Sequence, residues 1–327
     1  MKKAISIAKY ILSLSLAAAL LYYAFRNIDF DDFVSKAATV DYTWVILSIV
    51  LSLLSYYARA YRWNILLKPL GHNNLNVHRT NLAILVGYLA NLAFPRLGEV
   101  TRCAWIKKSD EVPVSESLGT VITERIIDLL TLIVLILIAL IVEYDRFMAL
   151  IERSFSGVDE GMYWKAGLVL AVGGLGFMIL IYVLYLKVPK VKNFIKELIR
   201  GLISLKSINN IGGFVGSTLV LWVTYYLMSY LIVFSLPETA HLDWMVGVML
   251  LVTGGIALVI PVQGGIGTYH ALISTMLVLY AVDKTTGVFL ATLLHTSQIV
   301  AVGIFGGIAL LISLIIFNKK RKDDLSQ

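Results

Sequence analysis

The chain has 327 residues, of which 58% are hydrophobic and only 15% charged, with a formal net charge of +7; soluble globular domains carry about 25% charged residues. With a mean hydropathy of +0.81, this composition excludes a soluble nucleic-acid-binding domain and leaves the basic excess to record membrane topology. The single cysteine, Cys103, excludes an intramolecular disulfide and cannot by itself make a metal site.

The apolar residues gather into blocks of about 18 or more, enough to cross a hydrocarbon core of roughly 30 Å. Backbone groups have no water there, so such blocks must be helices. No block shows the ten-residue alternation of a membrane β-barrel. The expected class is therefore an all-α, polytopic membrane protein. Met1-Lys2-Lys3 before an apolar run resembles a signal peptide, but the run Ala4–Phe25 is long and no clear small-residue cleavage site follows it. It reads as a retained first helix. Further spans are expected at Trp44–Leu66, Ile126–Val142, Ala166–Leu186, Phe214–Leu236 and Thr286–Phe317.

Three apolar stretches are too short to cross comfortably: Leu82–Phe94, Val246–Ile260 and Ala271–Val282. They adjoin the proline and glycine breaks at Pro95 and at Pro261-Val262-Gln263-Gly264-Gly265-Ile266-Gly267. Short apolar segments at such breaks read as re-entrant hairpins that bury irregular backbone inside the protein. With six spans and two hairpins, 22 of the 28 Lys and Arg residues fall on the cytoplasmic side. That asymmetry puts both termini in the cytoplasm of an inner (plasma) membrane. A full crossing at Leu82–Phe94 would move the Arg96–Arg125 basic cluster outside. At the second hairpin an eight-span variant gives the same termini.

An offset of 166 residues carries the first two spans onto Ala166–Leu186 and Phe214–Leu236. It also superposes the two breaks, each an apolar lead-in, a proline, and a glycine three residues later. The copies start on opposite sides of the membrane, so residues 1–145 and 166–317 read as an inverted repeat within one membrane domain, a pattern common in secondary transporters.

Three clusters could carry chemistry. Arg59 and Arg62 stand three apart, so they are either snorkelling anchors beside Tyr61 and Trp63 or two forks on one helical face able to grip a phosphate. Asn91, Pro95, Arg96, Gly98, Glu99 and Arg102 precede Glu124, Arg125 and Asp128 at the start of the next span. Charges entering the bilayer must be paired and are functional by default. The local pairings are Arg96 with Glu99 and Arg125 with Asp128, and they are equally compatible with a structural role. The third cluster holds Pro261, Gly264, Gly265 and Gly267, then His270 and His295. A glycine turn before a helix can present N–H groups to an anion or simply allow close packing. It is not a Walker loop, because no Gly-Lys-Ser/Thr follows. His295 can shuttle protons or serve as a hydrogen-bonded core histidine.

Arg59-x-x-Arg62-Trp63, Pro95-Arg96-Leu97-Gly98-Glu99-Val100-x-Arg102, Glu124-Arg125-x-x-Asp128 and Pro261-x-x-Gly264-Gly265-Ile266-Gly267 together resemble the flippase-like transmembrane family named for the membrane region of lysylphosphatidylglycerol synthase. The likeness covers nearly the whole chain in order. It implies movement of anionic or aminoacylated phospholipids, or polyprenyl-linked lipids, between leaflets, with membrane lipids as partners and neither cofactor nor metal. Arg59, Arg96, Arg102 and Arg125 would meet phosphate, and Glu99, Glu124 and Asp128 would orient them or bind a cationic headgroup. Many members carry an acid near the position of His270, which puts a role for that site in question. Only Asn318–Gln327 follows the last span, so a separate lipid-modifying or glycosyl transferase is expected to supply any linked synthesis. The alternative reading is an intramembrane enzyme on polyprenyl-linked sugars with Glu99 or Asp128 as acid/base group, or an accessory subunit of lipid synthesis.

Overall fold

The computed structural model describes residues 15–26, 28–94, 97–154, 186–189, 208, 210–260 and 262–325. The start of the first expected span, nearly all of the span expected at Ala166–Leu186, and Pro95, Arg96 and Pro261 lie outside the described residues.

Among the described residues the regular structure is helical throughout. The helices are α1 (Ser15–Phe25), α2 (Phe30–Thr39), α3 (Tyr42–Leu67), α4 (Val77–Ala93), α5 (Leu97–Asp110), α6 (Val114–Val142), α7 (Tyr144–Ser154), α8 (Ile211–Val233), α9 (Trp244–Val259), α10 (Thr268–Leu277) and α11 (Lys284–Leu325). Four are long and apolar enough to cross a membrane: α3 with the 3₁₀ turn that follows it, α6, α8 and α11. Side chains close several starts on their own backbone. Asp41 accepts from the Thr43 N–H, Asn76 from His78, Asn210 from Gly213 and Asp243 from Met245. Each such cap stabilises its helix by about 1 kcal/mol.

The two breaks have local causes. A residue before proline is driven out of the helical region, and both Phe94 (φ −139, ψ 122) and Ile260 (φ −65, ψ 127) are extended. Gly264, Gly265 and Gly267 all have positive φ, which glycine adopts without steric cost. At the first break Gly98 is needed for a different reason. A Cβ there would collide with the Gly87 carbonyl oxygen, so α4 and α5 touch backbone to backbone.

One expectation is corrected and one unassigned stretch is filled. The span expected at Ile126–Val142 begins at Val114, 12 positions earlier, so Glu124, Arg125 and Asp128 sit inside a 29-residue helix rather than at its start. The stretch after the first break, for which the sequence predicts no element, is helix α5, with Cys103, Trp105 and Ile106 buried in one apolar cluster with residues of α3 and α4. Its mixed composition hides one buried face.

The most extensive helix–helix contact is that of α3 with α8, and α4–α5 and α9–α10 form two neighbouring pairs bridged by α11. Shifted by 166, the bounds of α3, α4 and α5 become 208–233, 243–259 and 263–276. They fall beside α8, α9 and α10 in the same order.

Candidate functional site

The ion pairs lie where α3, α5 and α6 meet. Arg59 and Arg62 share one face of α3, and Glu124 and Asp128, four apart, share one face of α6. Arg59 pairs with Glu124 and, at 3.3 Å, with Asp128. Arg62 lies 3.7 Å from Glu124 and 2.8 Å from Asp128. Arg102 of α5 reaches Glu124 at 3.4 Å and rests its guanidinium 4.7 Å from the centre of the Trp63 ring. Neither arginine snorkels: Arg62 and Glu124 are completely buried and Arg59 is 4% exposed.

Three guanidinium groups therefore face two carboxylates, and the buried cluster carries one net positive charge. The 2.8 Å approach of Arg62 to Asp128 is a charge contact rather than an aligned hydrogen bond, and the Nε atoms of Arg59, Arg62 and Arg102 have no hydrogen-bond partner among the described residues. Such a cluster is costly to bury but costlier to break: removing one partner of a buried pair costs about 3–5 kcal/mol. Tyr225 of α8 completes it by accepting a 2.9 Å hydrogen bond from Arg59. Sequence reasoning missed Tyr225, although the offset of 166 carries Arg59 onto that position.

Arg125, one residue from Glu124, points to another side of α6. It pairs with Glu99 of α5 at 2.8 Å rather than with Asp128 as expected, and its side chain is 46% exposed. The reason is three-dimensional: Asp128 is taken by the arginines of α3. Arg125 and Glu99 line an open cavity of about 680 Å³. Asn91 lines it from the end of α4, and Val262, Gly264 and Gly265 line it from the second break. The rest of the wall is Leu, Ile and Val from α6 and α9. Asn91 also accepts a 2.6 Å hydrogen bond from the Gly98 N–H and so ties the two sides of the first break together. One carboxylate oxygen of Glu99 is buried without a hydrogen-bond partner among the described residues.

The candidate residues thus divide. Asn91, Glu99, Arg125, Gly264 and Gly265 line the cavity, whereas Arg59, Arg62, Arg102, Glu124 and Asp128 form a buried tie beside it. Gly98 and Gly267 are close-packing points, the latter against the backbone of α1. His270 and His295 lie behind the second break, where His295 Nε2 is 2.7 Å from the Gly264 carbonyl oxygen.

A second set of charges holds the far ends of the helices. Lys36 of α2 bonds Glu238, between α8 and α9, at 2.7 Å. That bond and the lysine charge hold the Glu238 carboxyl below its ordinary 4.5. Burial pulls Lys36 down, but its bond to Glu238 and that residue's charge more than offset this and leave it above 10.5. Arg146 of α7 bridges Glu143 and Asp243.

The family model for the lysylphosphatidylglycerol synthase TM region matches residues 10–306. Among curated proteins, the chain is 26% identical over 127 residues to a UPF0104 membrane protein of Methanocaldococcus jannaschii, a match that spans 38% of each chain. No solved structure matches it.

Proposed function

Because this chain belongs to the lysylphosphatidylglycerol synthase TM-region family and is a multi-pass membrane protein, we propose that it carries lipid headgroups between the leaflets. The class of lipid is an anionic or aminoacylated phospholipid, or a polyprenyl-linked lipid. The observation that carries this reading is one open cavity lined both by the helix ends that flank the first break, through Asn91 and Glu99, and by the turn of the second, with Arg125 and Glu99 its charged lining residues among the described residues. A phosphate has the half-exposed Arg125 fork to bind, and an amine on the same headgroup has Glu99. The apolar remainder of the wall accepts the glycerol and proximal chain, while the tails stay in lipid.

In this reading the buried cluster clamps α3, α5 and α6 so that the cavity wall keeps its shape, and its net positive charge favours an anion nearby. Arg59, Arg62 and Arg102 then act on phosphate at a distance rather than by contact. The two halves, whose helices follow in the same order at an offset of 166, form an inverted repeat in an inner membrane with both termini cytoplasmic. Reaction chemistry has no part in it, and a separate transferase makes or consumes the lipid.

The test is reconstitution. Liposomes carrying fluorescent phosphatidylglycerol in both leaflets are treated with an impermeant quencher. The protein should let the quencher consume inner-leaflet probe, and Arg125→Gln should slow this without loss of folded protein. A rate equal to protein-free liposomes would refute the proposal.

A further inference from the structure

Behind the second break lies a pair of imidazoles that the ion-pair cluster does not use. His270, in the first turn of α10, and His295, within α11, are 6% and 5% exposed. Their rings stand perpendicular with centroids 5.2 Å apart. A carbonyl oxygen can only accept, so His295 Nε2, 2.7 Å from the Gly264 oxygen, carries a hydrogen and donates it. His270 Nδ1 is buried without a hydrogen-bond partner among the described residues.

The surroundings are nearly devoid of charge. Alongside the pair, α10 places Tyr269, stacked on His295 at 5.1 Å, and α11 places Gln298 near the Tyr269 hydroxyl. From α1 comes Phe25, its ring 6.0 Å from His270, and α9 puts Gly254 against Tyr269. Among the described residues, the titratable groups facing the imidazoles are thus Tyr269 and each other. Among the described residues no carboxylate, lysine or arginine bonds or ion-pairs with either ring.

A proton added to this pair has no counter-ion inside its own pocket, and two imidazolium rings in contact repel, so the pair holds at most one proton and holds it only when negative charge is brought near. Among the described residues, the direction open to negative charge is across the turn, because Gly264 and Gly265 also line the cavity. Building on the headgroup-binding reading above, we propose that His270 and His295 form a proton-binding site coupled to that cavity. One proton and one anionic headgroup bind cooperatively across the Gly264–Gly265 turn. The His295–Gly264 hydrogen bond is the mechanical link, since a charged donor holds the carbonyl more tightly than a neutral one. Linkage makes the effect reciprocal: the headgroup strengthens proton binding by the factor by which the proton strengthens headgroup binding.

The experiment uses the full chain in phosphatidylcholine nanodiscs titrated with short-chain phosphatidylglycerol from about pH 4 to about pH 8, a range extended below that of an unperturbed imidazole because burial without counter-charge disfavours the charged ring. Imidazole NMR signals are followed in parallel. The dissociation constant should fall about fivefold or more toward low pH, within the usual range of coupling between sites. Adding lipid should move the imidazole titration to higher pH. His270→Gln with His295→Gln should bind with no such slope, and Arg125→Gln should weaken binding at every pH.

PH-independent binding by the wild-type protein would overturn the coupling and leave the headgroup reading intact. A slope that survives in the double variant would also overturn it, by placing the proton elsewhere. No binding at any pH would overturn the headgroup reading and the coupling with it. Should the double variant not fold, wild-type imidazole signals that lipid does not move overturn the coupling on their own.

Discussion

Arg59 donates to the Tyr225 hydroxyl across 2.9 Å, and the two residues stand 166 positions apart, the offset that carries α3, α4 and α5 onto α8, α9 and α10. Two residues related by that offset meet, and they meet beside the buried ion pairs. Arg59, which also pairs with Glu124, thereby ties α6 to α8.

A graded loss of stability should follow from that arrangement. Tyr225→Phe removes one hydrogen bond to a charged donor and should cost about 1.5–3 kcal/mol. Glu124→Gln leaves three guanidinium groups facing Asp128 and should cost about 3–5 kcal/mol. Unfolding in detergent, followed by tryptophan fluorescence, ranks the two. A Glu124→Gln protein as stable as wild type would show that the cluster is not a structural tie.

Arg125 and Glu99 should behave in the opposite way. Their pair is partly exposed, and such pairs contribute about 0–1 kcal/mol, so Arg125→Gln and Glu99→Gln should barely move the unfolding curve. Each should nevertheless lower lipid transport in liposomes. The double variant should not regain transport, because relieving an unpaired charge does not restore a phosphate ligand. Recovery of transport in the double variant would make the pair structural.

Two glycines in α5 and α6 separate close approach from propensity. A methyl group at Gly98 meets the Gly87 carbonyl oxygen and Asn91, whereas one at Gly119 meets no atom within 4 Å. Gly98→Ala should destabilise by about 1–3 kcal/mol, and Gly119→Ala should stabilise by somewhat less than 1 kcal/mol through helix propensity. Thermal midpoints of the two variants should move in opposite directions.

The Lys36–Glu238 bond sets a pH window. Glu238 is held below 4.5 in the folded protein, so its contribution is present above that value and is lost as pH falls through the lowered one. Lys36 is held above 10.5, so its contribution is present below that value and is lost as pH rises through the raised one. Stability from this pair should be level between and decline at both ends. Glu238→Gln should abolish the acid flank and weaken the alkaline one, where Asp32 still pairs with Lys36 at 3.5 Å, and an unchanged acid limb in that variant would assign the loss to other carboxylates.

Topology can be read with thiols. Cys103 is completely buried and gives a silent background. Lys107→Cys, on the exposed surface of α5, should resist an impermeant reagent added outside intact cells, and Ala240→Cys, exposed between α8 and α9, should react. The reverse pattern would invert the orientation.

The membrane class, the two breaks and the residues that crowd around them were legible in the sequence, because each follows from local physics. Apolar runs must be helices in hydrocarbon. Phe94 and Ile260 are extended because proline follows them, and positive φ falls where Gly264, Gly265 and Gly267 stand. The partners of the charges were not legible. Local spacing offered Arg125 to Asp128, but α3 presents Arg59 and Arg62 to the same carboxylate, and Arg125 turns to Glu99. The first turns of α6, and all of α5, were hidden by their mixed composition, since only packing tells which face is buried. A buried charge is settled by whichever counter-charge another helix brings within reach, and that is a property of the assembled bundle, not of any segment in it.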